Sequence, residues 1–146
     1  MAREPVDGIP FSAVPWRSTA ALWGAGTEEN AALRFTGHGI VRVLSDDPET
    51  GARTMLIKEP PGWHTAAAEA HSVFQEDILL EGDCWYGEVH VEGPTYFAFP
   101  PGHTHGPMFT ETGALWLVTL SGPFDVRYDD ARRAEHMSWW PRVSGA

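Results

Sequence analysis

The segment Glu69–Gly82, EAHSVFQEDILLEG, sets a histidine, a glutamine and several acids among apolar residues. Side chains on a β-strand alternate between its two faces. A strand over residues 71–80 therefore places His71, Val73, Gln75, Asp77 and Leu79 on one face. Ser72, Phe74, Glu76, Ile78 and Leu80 take the other. An amide, not the neighbouring acid Glu76, then lies beside His71. The run stops at a turn signal, Glu81-Gly82-Asp83.

The same pattern extends in both directions. Upstream lie ALRFTGHGIVRVLSD (32–46), broken at Gly37-His38-Gly39, and ARTMLIKEP (52–60), which stops at Pro60-Pro61-Gly62. Downstream, CWYGEVHVEG (84–93) reads as the hairpin partner of the first segment. TYFAFPPG (95–102), ALWLVTLSG (114–122) and FDVRYDD (124–130) continue the series. Short strands with regular turns predict an all-β antiparallel sandwich or jelly-roll barrel. One helix is expected, in DDARRAEHMSWW (129–140), with Asp129 or Asp130 as its N-cap. The first 30 residues show no period and read as an arm with isolated anchors at Phe11, Trp16, Leu22 and Trp23. No linker or repeat interrupts the chain, so a single domain over residues 1–146, with its core at about 31–128, is expected.

The 146 residues are 42% hydrophobic, enough for one core without staples. Seven tryptophans serve either that core or the wall of a pocket. The net charge of -10 argues against nucleic acid and anionic membrane as partners, because both require a basic footprint. Cys84 is the one cysteine, which excludes an internal disulfide and suits a reducing compartment. The N-terminal stretch MAREPVDGIPFSAVPW has no apolar core of a signal peptide, and no run reaches the roughly 20 apolar residues of a membrane span. A cytoplasmic location is expected.

Histidine is the commonest metal ligand, and three candidate places carry it. His71 stands on the segment above, His103 and His105 stand two apart in PPGHTHGP (100–107), and His64 stands in PPGWHT (60–65). His38, His90 and His136 read as ordinary solvated side chains.

These residues resemble the motifs of the cupin superfamily. One family motif runs G, five residues, H-x-H, three residues, E, six residues, G. With His71 on its second histidine, Gln75 takes the glutamate position and Gly82 the closing glycine. The second motif ends P-x-G-x-x-H, matched by Pro100, Gly102 and His105, with Gly93 one place early for its opening glycine. The likeness covers about Gly62–Phe109 and departs in two places. Glu69 stands at the first histidine, and Phe109 at the closing asparagine of the second motif. The resemblance implies that His71 and His105 bind a metal and that Gln75 sits at a ligand position. Either Glu69 in place, or His64 swung in by TAAAEA (65–70), completes the set; His64 is the closer chemical match. His103 shares a face with His105 if the stretch is extended and is a further candidate ligand.

Imidazoles and an amide are neutral, so a divalent ion among His64, His71, Gln75, His103 and His105 would keep its full charge. That favours Lewis-acid work on carbonyl oxygens and enolates over oxygen chemistry, and favours zinc, with iron, nickel, cobalt and manganese also suited to such donors. Trp63, Phe97, Phe99, Met108 and Trp116 are expected to shape an apolar bowl for a flat, oxygenated substrate. Glu69 and Asp77 are the candidate bases.

The combination is similar to the small single-domain cupin polyketide cyclases of the resistomycin type. That resemblance implies aldol-type ring closure and dehydration of a poly-β-ketone, a substrate deliverable by an acyl carrier protein; an exposed strand edge and the N-terminal arm lead us to expect a homodimer. The alternatives are a cupin dioxygenase or other oxidoreductase, a zinc-binding regulatory cupin of the anti-sigma type, and a sugar- or auxin-type binding module.

Overall fold

The computed structural model describes residues 3–19, 35–36 and 39–144. Among these, twelve strands follow in order: Arg17–Ser18 (β1), Phe35–Thr36 (β2), Ile40–Asp46 (β3), Arg53–Glu59 (β4), His64–Thr65 (β5), Ala67–Ala70 (β6), Gln75–Tyr86 (β7), Val89–Glu92 (β8), Thr95–Phe99 (β9), Met108–Phe109 (β10), Ala114–Leu120 (β11) and Arg127–Arg133 (β12). A short helix, Trp140–Ser144 (α1), follows them. The expected anchors Leu22 and Trp23, together with His38, lie outside the described residues.

β7 organises the sandwich. Its first part pairs with β9 on one side and β11 on the other, and β11 leads through β4 and β3 to β1. Its last four residues pair with β8, and Trp85 and Tyr86 also pair with β10, which continues through β5 to β2. β12 and β6 form a separate antiparallel pair. All the pairings are antiparallel, which gives the all-β sandwich expected from the sequence.

β7 changes sheets near Gly82. The register with β11 slips between Leu115 and Trp116, opposite Glu81 and Leu79, which leaves Leu80 as the extra residue of a bulge. Gly82 has φ +89°, and a Cβ there would fall 1.9 Å from the Gly113 carbonyl oxygen. Only glycine permits that approach. The turn expected at Glu81-Gly82-Asp83 is therefore a bend within one strand. The hairpin turn comes later, at Gly87, which has φ +57°.

The strand expected from residue 71 begins instead at Gln75. Residues 71–74 form a bend because side chains, not a neighbouring strand, take their backbone protons. Ser72 N–H donates to Asp125 Oδ1 at 2.7 Å and Phe74 N–H to Ser121 Oγ at 2.9 Å. The helix expected from Asp129 is also corrected. Residues 127–133 are β12, Ala134–His136 form one 3-10 turn, and α1 starts only at Trp140. Asp129 accepts from Ala131 N–H at 3.0 Å in a turn of the strand pair instead of capping a helix. Phe11, expected as an anchor, is 45% exposed. Trp16 is half-buried beneath the Arg42 guanidinium, 4.1 Å from the ring centroid.

Alternation sets the core. On β11, Ala114, Trp116, Val118 and Leu120 point in, meeting Met55 and Ile57 of β4 and Leu79 of β7. A second cluster, Phe109, Ala134 and Trp139, packs the C-terminal segment onto the outer face of β10. No helix among the described residues is long and apolar enough to cross a membrane.

Candidate metal centre

Glu69 and His105 are brought together by backbone pairing. Glu69 N–H donates to the His105 carbonyl at 2.8 Å, and His105 N–H to the Glu69 carbonyl at 2.9 Å. His71, two residues past Glu69, turns inward at the bend before β7. Glu69 Oε1 then lies 3.7 Å from His71 Nε2 and 3.7 Å from His105 Nε2. One ligand atom from each of the three lies within 4.8 Å of the other two, and all three residues are buried. Atoms bound at about 2.0–2.2 Å to one small cation stand at comparable separations.

The donors are aimed but unengaged. His71 Nε2, His105 Nε2, Glu69 Oε2 and Gln75 Oε1 are buried without a hydrogen-bond partner. A buried polar atom without a partner costs about 1–3 kcal/mol, and four in one region call for an ion or ligand. The outer ring nitrogens face carbonyls, His71 Nδ1 toward Asp125 O at 2.5 Å and His105 Nδ1 toward His103 O at 3.4 Å. A proton held on Nδ1 leaves the Nε2 lone pair for a metal. Two imidazoles, a carboxylate and an amide oxygen therefore fit a divalent ion.

Two expected ligands stand apart. His64 is level with Phe109 on β5, and its ring meets Trp140 edge-on at 5.5 Å. Its neighbour Trp63 lines the interior cavity, so His64, of opposite parity, points toward the C-terminal cluster. Burial lowers its pKa, the Gly62 carbonyl partly opposing. His103 is exposed and stacks outside Phe99, whose other face lies 4.1 Å from the His105 ring. The turn closed by His103 N–H to Pro100 O breaks the extended geometry that would align His103 with His105. The donor set is consequently not all neutral, because Glu69 supplies a carboxylate where His64 was expected.

The cluster opens into a cavity of about 80 Å³, room for several waters or a compact ligand. Trp63, Met108 and Trp116 line it, as do Val118, Leu120 and Phe124. Phe97 and Phe99 stand behind the wall instead, Phe97 against Tyr86 at 4.5 Å and Phe99 against His105. Asp77 lies inside; its two oxygens accept from Gln75 Nε2, and Oδ2 also accepts from the Tyr86 hydroxyl at 3.1 Å. Burial raises its pKa to about 6, against the lowering effect of those bonds.

Two ionisable residues of the cavity, Glu59 and Tyr86, are not anticipated from the sequence. Glu59 follows Met55 and Ile57 on the inward face of β4, so an acid ending an alternating apolar run was the available signal. Its carboxylate accepts from Trp116 Nε1–H at 3.1 Å, and burial raises its pKa to about 8. Tyr86 was hidden because the bulge at Leu80 inverts the parity of everything after it.

No protein-family model matches the chain, and no curated protein is significantly similar to it. Solved structures do match. A candidate acetylacetone dioxygenase from Methylibium petroleiphilum is 17% identical, with TM-score 0.64 over 87% of this chain and 83% of that one. An acetylacetone dioxygenase from Acinetobacter johnsonii is 22% identical, with TM-score 0.54 over 76% and 77%. The polyketide cyclase RemF from Streptomyces resistomycificus is 16% identical, with TM-score 0.58 over 95% and 99%. With an RmlC-like cupin from Ralstonia eutropha also among the matches, the chain has the cupin fold.

Proposed function

We propose that this chain is a divalent-metal enzyme acting on an enolisable 1,3-dicarbonyl, and that it closes rings in a poly-β-ketone by aldol-type condensation and loss of water. The supporting observation is the convergence of Glu69, His71, Gln75 and His105 through buried acceptor atoms without partners beside an apolar cavity. The structural neighbours named for acetylacetone and for polyketide cyclisation act on molecules of this chemistry. A bound divalent ion would supply Lewis acidity toward carbonyl oxygens, with zinc the first choice.

The residues of the chain do the remaining work. Trp63, Met108 and Trp116 exclude water and restrict how a flexible ketone can fold. Asp77, whose pKa stands near 6, takes the proton that an α-carbon loses on enolisation. The enol carbon adds to a distant carbonyl, that oxygen is protonated, and water leaves. No oxidant is consumed. Presentation of the ketone by an acyl carrier protein belongs to the same proposal.

A second reading, oxidative cleavage of a small 1,3-diketone, is favoured by Glu69. Two histidines and one carboxylate with open positions are the usual donors of non-haem iron oxygenases. The compact cavity also suits a small diketone. The test is turnover under nitrogen by protein of measured metal content. Ring closure proceeds without oxygen and with zinc. Activity that requires oxygen and iron would discard the cyclase in favour of the cleavage, and indifference to metal removal would discard both.

A further inference from the structure

The register separates the cavity into two ends. Gln75, Asp77 and Leu79 of β7 stand opposite Leu120, Val118 and Trp116 of β11, and Trp116 opposite Ile57 of β4. Glu59 lies two residues further along, opposite Ala114, beyond Trp116 from the histidines. It lines the same cavity as Glu69, His71 and Asp77. It also borders a second, open cavity of about 470 Å³ formed by Lys58, Pro60, Pro61, Gly82 and Gly113. Among the described residues, its one hydrogen bond comes from the Trp116 indole, to Oε2. No cation pairs with it among those residues, and the carboxyl groups that act on its charge, Asp77 and Glu69, oppose it.

We propose that Glu59 is a second catalytic acid of this cavity, a carboxyl that donates its proton to a substrate carbonyl remote from the histidine cluster. The inference rests on the 1,3-dicarbonyl reading above. Trp116 fixes the carboxyl by holding Oε2, which directs Oε1 to the ligand. Burial, with the repulsion of Asp77 and Glu69, keeps the group protonated near neutrality, since its pKa is raised to about 8. When the new C–C bond forms, the π electron pair of the attacked carbonyl moves to its oxygen and the Glu59 proton follows. The carboxylate left behind is reprotonated by water from the open cavity, and Asp77 passes the proton it took at enolisation to solvent, so protons balance. The arrangement explains why an acid without a counter-cation stands among Met55, Ile57 and Trp116. It also selects substrates with a carbonyl beyond the chelated pair, which a poly-β-ketone has and acetylacetone lacks.

The test compares wild type with Glu59→Gln, which keeps the acceptor for Trp116 but carries no titratable proton. The probes are the divalent metal and a linear triketone or longer poly-β-ketone. Equal metal content and equal binding of acetylacetone by both proteins, with kcat on the longer ketone reduced on the order of 10²–10⁴-fold and the alkaline limb near pH 8 lost, supports the proposal. Unchanged kcat and pH profile in the variant overturns the role of Glu59 while leaving the dicarbonyl reading intact. If metal-loaded wild type binds no 1,3-dicarbonyl, that reading fails and takes this role with it. Trp116→Phe provides a second variant; it should lower kcat and shift the same limb without loss of metal.

Discussion

Gln75 Nε2 donates to both oxygens of one carboxylate, 3.0 Å from Asp77 Oδ1 and 2.8 Å from Oδ2. That contact fixes which end of the amide is nitrogen, since two acceptor oxygens can only face an NH₂. Oε1 is then left for the metal-binding side. An acid at position 75 would place two carboxylates in contact and force one to hold a proton. This is the physical reason for an amide there.

Gln75→Glu tests it. The variant should retain metal, because a carboxylate oxygen replaces Oε1, but it should unfold more readily as pH rises above about 6. A loss of roughly 2–4 kcal/mol is expected at pH 8 relative to wild type. Denaturant midpoints at pH 5 and pH 8 measure it. Equal midpoints in both proteins at both values would contradict the pairing.

The metal set is tested one ligand at a time. His71→Ala and His105→Ala should each weaken metal affinity on the order of 10²-fold or more, since each removes an Nε2 donor. His64→Ala and His103→Ala should leave metal content unchanged, because those rings face Trp140 and solvent-side Phe99. Equilibrium dialysis with zinc and with iron(II) distinguishes the four.

What the sequence made legible follows from range. Alternation in 114–120 and 95–99 depends on neighbours two apart, and both strands form where that period placed them. Proximity of His71, Gln75 and His105 came from motif spacing, although the strand assumed for His71 starts four residues later. The bend at 71–74 depends on Asp125 and Ser121, about 50 residues away, and no local pattern announces them. Glu69 in preference to His64 was decided by the backbone pairing with His105, again a distant contact. Glu59 was visible in principle, as the acid that ends Met55-x-Ile57-x-Glu59.

The C-terminal cluster offers a stability prediction independent of the site. Trp139 is fully buried, stacks on Phe109 at 5.1 Å and donates to the Gly87 carbonyl at 2.9 Å. Trp139→Ala should cost about 3–5 kcal/mol by cavity formation and the lost hydrogen bond. Metal affinity should change little in the folded fraction. Calorimetry with and without zinc separates the two quantities.

The metal-free protein should grow less stable as pH rises toward 8. Glu59 has its pKa raised by burial from the usual 4.5 to about 8, so the folded chain binds more protons than the unfolded chain between those values. Where the folded state holds the extra proton, unfolding free energy falls with rising pH. Asp77 adds to the fall between about 4 and 6 for the same reason. The contribution of Glu59 is fully present below pH 4.5 and lost as pH passes about 8. It amounts to roughly 2–3 kcal/mol after allowance for the solvent its side chain still meets. Asp83, raised by burial but lowered overall by its bonds with Thr112, His90 and Glu111, acts oppositely and withdraws stability as pH falls below about 4. The apo protein should therefore lose stability in acid, where His64 and Asp83 must take up protons, and again as pH rises from about 6.5 to 8, where Glu59 gives its proton up. Metal reverses the slope, since binding requires deprotonated imidazoles and strengthens as pH rises. Melting temperatures across pH 4–9, with chelator and with excess zinc, should diverge with opposite slopes above about pH 6.5. The chelator curve of Glu59→Gln should be flatter than that of wild type, and identical slopes would refute the neutral carboxyl.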